Sequence, residues 1–332
     1  MKSALFGARA YAELVPLQRM EDLIARLDQT IYAREIEAAL ARYAGPRVVM
    51  EACRMHLANT YRLIRGFFAA DGARLVAIVL ARWDLFNLTA IVRGQVARAR
   101  PDEILDALVP AGVLGEQALR TLVRQADPLA TLDLVHMWDE RYGHAARAAI
   151  ARFETTRDWS AAEAALDAAF YARLLGSLKP GAENDELVRE LLEREIDAAN
   201  LLAALRLRGT AAALPAALAE RCLPGGTLPL GWLAELASAA RDDDVLGALR
   251  ASKFGAALAA AGTLDPNRMQ DALDRDLARF GAGFFARDPL TIATAIGFIT
   301  AKRVEVSNVR LVAQGIALGM GQAEIEDALI MV

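Results

Sequence analysis

The stretch Arg82-Trp83-Asp84-Leu85-Phe86-Asn87-Leu88-Thr89-Ala90-Ile91-Val92-Arg93-Gly94 has a skeleton that returns twice in this 332-residue chain. The skeleton is an acid, two residues, an asparagine, and then an apolar run that ends in Arg or Gln near a glycine. The second copy is Asp197-Ala198-Ala199-Asn200, with Arg206 six residues after the asparagine. The third is Glu305-Val306-Ser307-Asn308, with Gln314 at the same place. Successive asparagines lie 113 and 108 residues apart, which is the size of a small domain.

A second box, Leu-x-x-Thr/Ser-x-aromatic, precedes the first and third copies. It reads Leu27-Asp28-Gln29-Thr30-Ile31-Tyr32 in the first and Leu249-Arg250-Ala251-Ser252-Lys253-Phe254 in the third, and Leu166 to Tyr171 is a weaker form before the second. The aromatic lies 55, 54 and 29 residues before the asparagine in the first, third and second copies. Matching order and spacing favour a domain-sized repeat over a thin solenoid unit. The predicted domains are 1–114, 115–228 and 229–332.

The composition predicts an all-α fold. Hydrophobic residues make up 55% of the chain, charged residues 24% and aromatic residues 6%. Alanine, leucine, arginine and glutamate dominate, all of them good helix formers, and the alternating pattern of β-strands is nearly absent. The clearest predicted helices are 186–207, which has an apolar stripe and which we expect Gly209 to end, 48–68, and 289–318.

Charge and hydropathy narrow the range of partners. The net charge is −4, and positive and negative residues are mixed along the predicted helices, so nucleic acid is not expected as a partner. The apolar run 75–81 lies between Arg74 and Arg82. Because no stretch reaches the roughly 18 uncharged apolar residues of a membrane span, we predict that the chain has no transmembrane span of its own.

Residues that carry chemistry are few and scattered. The histidines, at 56, 136 and 144, share no metal-ligand spacing with one another or with Cys53 and Cys222, and two cysteines so far apart form no disulfide framework. The chain has no phosphate-binding loop and no nucleophile elbow. We therefore predict no catalytic residue, no metal and no cofactor, and a chain that is not an enzyme.

The repeated acid and asparagine permit two interpretations. Residues three apart on a helix share a face, so each acid and its asparagine project together. In the first interpretation, the acid lies in the first turn of a helix, where it stabilises the helix dipole by about 0.3–1 kcal/mol, and the asparagine is a cap. In the second, the pair is a polar contact presented three times to one partner. Carboxylate and amide without His, Lys or metal make a poor catalytic set.

The motifs resemble the C subunit of the V/A-type ATPases or ATP synthases, the relative of the eukaryotic d subunit. The resemblance rests on Asp84-x-x-Asn87 through Arg93-Gly94, on Leu-Val-Pro-Ala-Gly at 108–112, on Lys302-x-x-Glu305-x-x-Asn308 through Gln314-Gly315, and on the Leu27-x-x-Thr30-x-Tyr32 box. It spans nearly the whole chain, and its specificity comes from the order and spacing of short motifs.

This resemblance implies a funnel-shaped, all-helical, non-catalytic protein with pseudo-threefold symmetry. Such a protein lies on the cytoplasmic face of the membrane proteolipid ring and receives the rotor shaft, the D and F subunits, so it transmits torque for ATP-linked proton or sodium transport. Partner contacts are then expected from the repeated polar set, and an alanine at position 87 or 200 would weaken shaft binding with little change in melting temperature. The predicted contact residues are Asp84, Asn87, Arg93, Asp197, Asn200, Arg206, Glu305 and Asn308.

Two alternatives stay open at the level of the sequence. A free helical scaffold that binds a helical partner would share the composition but would behave as a monomer without membrane association. A helical enzyme acting on an apolar, isoprenoid-like substrate would need metal-binding acids on facing helices. The run Asp242-Asp243-Asp244 lacks the Asp-Asp-x-x-Asp spacing of such a site, so this alternative ranks last.

Overall fold

A computed structural model of the chain describes residues 5–138, 140–210 and 215–332. Every regular element within these residues is a helix, which confirms the predicted all-α class. The helices are α1 (Ala8–Leu14), α2 (Met20–Asp28), α3 (Ala33–Leu40), α4 (Pro46–Gly66), α5 (Ala70–Val96), α6 (Pro101–Ala107), α7 (Glu116–Val123), α8 (Pro128–Trp138), α9 (Glu140–Thr156), α10 (Trp159–Gly176), α11 (Glu183–Leu207), α12 (Pro215–Ala219), α13 (Leu230–Ser238), α14 (Asp242–Ala251), α15 (Gly255–Ala261), α16 (Pro266–Gly283), a 3-10 helix (Phe284–Ala286), α17 (Ala293–Leu318) and α18 (Gln322–Ala328).

Proline and glycine set several of these helix boundaries. Pro46 and Pro101 occupy the first turns of α4 and α6, where the missing N–H has no intrahelical partner to lose. Helix α11 ends at Leu207, and Gly209 follows with φ of +72°, as the sequence predicts. Helix α17 likewise ends at Gly319, which adopts the left-handed conformation that glycine tolerates without strain.

The chain forms two compact units. The first comprises residues 1–84, 109–115 and 278–332, and the second comprises 85–108 and 116–277. The first unit therefore joins the two ends of the sequence and takes segments from both the first and the third predicted domains. The division into three domains, the pseudo-threefold symmetry and the funnel shape stay predictions.

Helix α17 is the central element of the first unit. It packs against α4, α2 and α18, and most of its residues are buried, including the charged Lys302 and Glu305. Helices α2, α3 and α4 also pack on one another. Burial of apolar side chains from several helices against one hydrophobic helix is the main stabilising contribution to this unit.

The second unit has one packing layer around α8, α9 and α10 and another around α11. The core at the second layer joins α11 to α12–α16 through small and medium apolar side chains. Its fully buried aromatic residue is Phe254, the last residue of the second sequence box. The box that the sequence places before the third motif therefore packs in the same core as the helix that carries the second.

Helix α5 passes a length-and-composition test for a membrane span, with a mean hydropathy of 1.8 over its most apolar window. Of that window, 61% is buried inside the protein, which is typical of the core helix of a soluble protein. The predicted absence of a transmembrane span is not contradicted by this helix and stays a prediction.

Candidate functional site

The three acid-x-x-Asn pairs lie in the middle of the three longest motif-bearing helices, α5, α11 and α17. Asp84, Asp197 and Glu305 each come more than three turns after the start of their helices. The side chains of the three acids are 0%, 0% and 2% exposed. The first-turn interpretation is therefore wrong, because the dipole effect is confined to the terminal turn. These carboxylates are buried in the body of the protein and need internal hydrogen-bond donors.

In the first two copies the donors are main-chain N–H groups about thirty residues further along the chain. Asp84 accepts from the N–H groups of Val113 at 2.7 Å and Leu114 at 2.8 Å. Asp197 accepts from those of Thr227 at 2.7 Å and Leu228 at 2.9 Å. In both copies the bonded segment runs directly into the next helix, α7 or α13. The carboxylate thus fixes the segment that leads into the next helix, and we call this arrangement the acid clamp.

The second clamp has further polar partners. The Thr227 hydroxyl donates to Asp197 Oδ2 at 2.7 Å, and the Lys253 ammonium group is bound to the same oxygen. Lys253 also donates to the Thr227 hydroxyl at 3.0 Å. The buried negative charge is therefore neutralised by a cation and surrounded by donors, the condition under which a buried carboxylate is tolerated.

In the third clamp the main-chain donor comes from the opposite end of the sequence. The N–H of Phe6 donates to Glu305 Oε2 at 2.7 Å, although the two residues are 299 apart in sequence. The Tyr32 hydroxyl at 2.7 Å and the Lys302 ammonium at 2.8 Å both donate to Oε1. Helix α1 begins at Ala8, so this segment also precedes a helix, as in the other two clamps.

The asparagines bind main chain in both directions. Asn200 donates to the carbonyl of Leu223 at 2.9 Å and accepts from its N–H at 2.7 Å. Asn308 makes the same pair of bonds with Ile330, at 2.8 Å and 3.0 Å. The remaining asparagine, Asn87, is fully buried. One amide side chain thus binds both the main-chain N–H and the carbonyl of one residue. These two bonds take the place of the hydrogen bonds that a helix would otherwise provide.

Replacing Asn200 with alanine is expected to lower the free energy of unfolding by about 2 kcal/mol, because both polar groups of Leu223 lose their partner. Urea unfolding followed by circular dichroism measures this loss. Asn267→Ala, an exposed asparagine in the first turn of α16, is the matched control and should change stability by less than about 0.5 kcal/mol. This result would replace the sequence-based expectation of an unchanged melting temperature, and equal stabilities of the two variants would contradict it.

Glycines provide the space that the clamps occupy. A Cβ on Gly112 would lie 2.6 Å from Asp84 Oδ2, and one on Gly226 would lie inside the contact distance of the Asp197 carboxylate. The glycines at the ends of the motif have a different role. A Cβ on Gly94 would meet Ile104, and one on Gly315 would meet Ile325, in each case ten residues later.

The second sequence box is a hydroxyl turn. The Thr30 hydroxyl donates to the Leu27 carbonyl at 2.6 Å and accepts from the Tyr32 N–H at 3.2 Å. Ser252 makes the same two bonds with Leu249 and Phe254, at 2.7 Å and 3.2 Å. The two boxes are thus the same local structure, and each places a side chain on a clamp. Tyr32 contacts Glu305, and Lys253 contacts Asp197.

The basic or amide residue at the end of each motif is solvent-accessible. The Arg93 side chain is 69% exposed and pairs with Glu163 at 2.8 Å. Arg206 donates to Gln270 at 3.3 Å, and Gln314 is exposed at the same motif position. Of the eight predicted contact residues, the two arginines are accessible to a partner, whereas the acids and asparagines are buried. The partner-binding role of the set stays a prediction.

Asp167, one turn after Glu163 on α10, has a buried carboxylate oxygen, Oδ1, that has no hydrogen-bond partner among the described residues. Burial, together with the charge of Glu163, raises the pKa of Asp167 to about 6, and Arg93 opposes the shift. A carboxyl group with a raised folded-state pKa binds its proton more tightly in the folded protein. Its contribution to stability is therefore greatest below the ordinary pKa and is lost as the pH rises through about 6.

Asp167→Asn is expected to remove this pH dependence. The free energy of unfolding of the variant minus that of the parent should rise by up to about 3 kcal/mol from pH 4 to pH 7, since each unit of pKa shift corresponds to about 1.4 kcal/mol. Urea unfolding of both proteins at the two pH values gives the difference directly, and the titration of all other groups cancels. A stability difference that is the same at both pH values would contradict the raised pKa.

Beyond the main-chain N–H groups of segments 113–114 and 227–228, five groups of the clamps are absent from the sequence-based prediction. Lys302 and Tyr32 both lie inside quoted motifs. Lys302 comes three residues before Glu305 and therefore shares its helix face, whereas nothing in the spacing of Tyr32 connects it to Glu305. The place of Thr227 could have been predicted from the sequence, because Thr227 directly follows Gly226 just as Val113 directly follows Gly112. The missed groups are the main chain of Phe6 and the side chains of Tyr32, Thr227, Lys253 and Lys302.

The chemistry available at the clamps is that of holding main chain in place. Within the described ranges no group of three or more His, Cys, Asp and Glu residues could hold a metal ion. Cys53 lies close to the third clamp, but burial raises the pKa of its thiol to about 12, so it is protonated at neutral pH. These features define the class of protein, an all-helical structural protein whose repeated polar residues brace its own fold.

The chain belongs to the ATP synthase (C/AC39) subunit family, whose sequence model matches residues 1–328. It is 30% identical to the A-type ATP synthase C subunit of Haloferax volcanii, over 99% of this chain and 94% of that protein. It is 27% identical to the A-type ATP synthase C subunit of Archaeoglobus fulgidus, over 100% of this chain and 93% of that protein. The V-type ATP synthase C subunit of Deinococcus radiodurans is 26% identical, over 95% of this chain and 84% of that protein.

This membership confirms the resemblance that the motifs carry. The C subunit of the A/V-type ATP synthases is a structural component of the rotary complex, and the prediction of a non-enzymatic chain is confirmed on that ground. Membership in an ATP synthase complex also implies association with a membrane. The particular shaft and ring partners, and the place of the chain on the cytoplasmic face, go beyond the family and are proposals.

Proposed function

We propose that this chain is the central-stalk adaptor of a rotary V/A-type ATPase. It couples the rotor shaft, the D and F subunits, to the proteolipid ring and transmits torque for ATP-linked proton or sodium transport. It acts as a peripheral protein on the cytoplasmic face of the membrane. The observation that carries the proposal is the family match over residues 1–328, together with the internal use of the repeated polar residues.

The clamps support a torque-transmitting role. An adaptor between a shaft and a ring has to resist deformation, and loops are ordinarily the most deformable parts of a helical protein. In this chain, buried carboxylates and asparagines bind the inter-helix segments 113–114, 223 and 227–228, and residue 330 after the last helix, through their main chain. Charge-assisted hydrogen bonds of this type are about twice as strong as neutral ones. The connections between helices are thereby stiffened without any contribution from a partner.

The exposed motif ends support a partner contact. Arg93 and Arg206 come at one motif position, six residues after the asparagine, and both extend a long polar side chain toward solvent. Exposed arginines are frequent anchors in protein interfaces, because the planar guanidinium binds carboxylates and main-chain carbonyls in a fixed geometry. We therefore assign the shaft or ring contact to these two residues rather than to the buried acids and asparagines.

The proposal is tested by a pull-down of the tagged chain from detergent-solubilised membranes, with mass spectrometry of the recovered proteins. Recovery of the D and F subunits and of the proteolipid supports the adaptor function. Recovery of neither, from a lysate in which both are present, would favour the free helical scaffold. Alkaline carbonate extraction of the same membranes tests the peripheral placement, since a peripheral chain is released into the supernatant.

The arginine assignment has its own test. The double variant Arg93→Ala and Arg206→Ala is expected to weaken recovery of the shaft or ring proteins about tenfold. The loss of stability should stay below about 1 kcal/mol, since both guanidinium groups lie at the surface, where an ion pair or hydrogen bond contributes little. The control is Arg120→Ala, which removes an exposed ion pair with Glu116 at 2.7 Å, close to the 2.8 Å of the Arg93–Glu163 pair. Equal recovery with both proteins would remove the two arginines from the interface and leave the adaptor function itself intact.

A further inference from the structure

The three clamps differ in how their main-chain donor is connected to the acid. Asp84 and Asp197 each bind a segment 29 to 31 residues further along the same stretch of chain. Glu305 binds Phe6, which is 299 residues away in sequence. A connection of about thirty residues keeps a segment near its acid when a hydrogen bond breaks, whereas Phe6 is kept near Glu305 by its own contacts and by those of α1, which starts two residues later.

The third clamp also has the fewest main-chain bonds. Asp84 and Asp197 each accept two main-chain N–H groups, and Asp197 accepts the Thr227 hydroxyl as well. Among the described residues, Glu305 accepts one main-chain N–H, that of Phe6. Its other two bonds, from Tyr32 and Lys302, do not depend on the segment around Phe6. Glu305 therefore keeps a neutralising cation and a hydroxyl donor when Phe6 departs, so its buried charge is not left uncompensated.

The segment is also attached through the Phe6 ring. The Phe6 ring packs edge-on against Tyr32 at 5.5 Å and against Tyr11 at 6.2 Å between ring centroids. Such pairs contribute about 0.5–1.5 kcal/mol each beyond the apolar area that they bury. These contacts are few beside the buried apolar side chains of α2, α4 and α17 that hold the unit together, so the segment can open without unfolding the unit.

We propose that residues 5–7 are a latch that closes the first unit on Glu305, and that this latch is where the fold opens first. Opening replaces one main-chain hydrogen bond and one aromatic cluster by water and leaves the Lys302–Glu305 ion pair in place. The latch is a property of this chain by itself and does not depend on the shaft-and-ring proposal.

Native-state hydrogen exchange of the full chain, read at single-residue resolution by mass spectrometry, tests the latch. The Phe6 amide is expected to exchange at least ten times faster than the amides of Val113 and Thr227, which hold the corresponding places in the other clamps. Low concentrations of denaturant should leave the Phe6 rate unchanged, because a small opening exposes little surface. Exchange of all three amides at one rate, with one denaturant dependence, would overturn the proposal.

A pair of variants separates a latch from a part of the cooperative core. Phe6→Ala keeps the N–H donor and removes the ring, so it should speed exchange of residues 5–7 about tenfold and leave 113–114 unchanged. Val113→Ala, the matched control, should not alter exchange at Phe6. A fall in melting temperature of Phe6→Ala with equally faster exchange at all three clamps would show that the segment belongs to the core and would overturn the latch.

Discussion

Asp197→Ala is expected to lower the free energy of unfolding by about 3–5 kcal/mol, the largest loss that we predict for a single side chain. Asp197 is fully buried and accepts from two main-chain N–H groups and a hydroxyl, and Lys253 supplies the compensating charge. Truncation at Cβ leaves all of these donors without their acceptor, and the main-chain groups cannot move to solvent without displacing the start of α13. Chemical unfolding monitored by far-UV circular dichroism gives the loss directly.

Two further variants make this result specific. Asp244→Ala removes an exposed acid from the first turn of α14 and should cost less than about 1 kcal/mol, the value of a dipole interaction. Asp197→Asn keeps the shape of the side chain but removes the charge and turns one acceptor into a donor, so its loss should fall between the other two. If Asp197→Ala were no more destabilising than Asp244→Ala, the acid clamp would not stabilise the fold.

The secondary structure of the motif helices follows from the sequence because its causes are local. Helix α11 is predicted at 186–207 and observed at Glu183–Leu207, since its apolar stripe and the glycine that ends it are both visible in one segment. The start of α17 is four residues later than predicted. Asp288 accepts from the Leu290 N–H at 2.8 Å, and its carbonyl binds the Thr291 hydroxyl, so the residues after Pro289 form a polar turn before the helix.

The role of the repeated acids could not be derived in the same way. An acid on the apolar side of a long helix is visible in the sequence, but its donors are main-chain N–H groups, which every residue except proline possesses. The spacing indicates part of the answer, because the segments 108–112 and 223–226 follow their motifs at nearly equal distances and so occupy equivalent places in the first two copies. For Glu305 no spacing could help, since its main-chain donor is Phe6, at the other end of the sequence.

The boundaries of the packing units could not be derived from the sequence either. A repeat read along the sequence places each motif with the residues before it, whereas the first two acid clamps bind the segment at the start of the next predicted domain. Residues 113–114 and 227–228 lie at the predicted boundaries and are bound to the preceding motif. The first compact unit likewise contains both 1–84 and 278–332. Sequence periodicity therefore gives the length of the repeat but not the place where one packing unit ends.

Gly226→Ala is expected to cost about 3 kcal/mol, although it adds a single methyl group. The added Cβ would lie 3.0 Å from Ile196 Cγ2 and inside the contact distance of Asp197 Oδ1, so it overpacks a buried site and pushes the clamp apart. Gly231→Ala is the same chemical change five residues later, inside α13, where, apart from the chain neighbours and the helix backbone, no atom of the described residues lies within 4 Å of the new Cβ. Because alanine is the better helix former, this control should gain up to about 1 kcal/mol.

The opposite signs expected for these two substitutions separate the packing effect from the general effect of glycine on the unfolded chain, which both variants share. Combining Gly226→Ala with Asp197→Ala tests the origin of the loss. Once the carboxylate is gone, the new methyl group has space, so Gly226→Ala should cost less than about 1 kcal/mol in that background. A loss that stays near 3 kcal/mol in the double variant would place its origin in Ile196 or the loop backbone, and the glycine would then not be explained by the clamp.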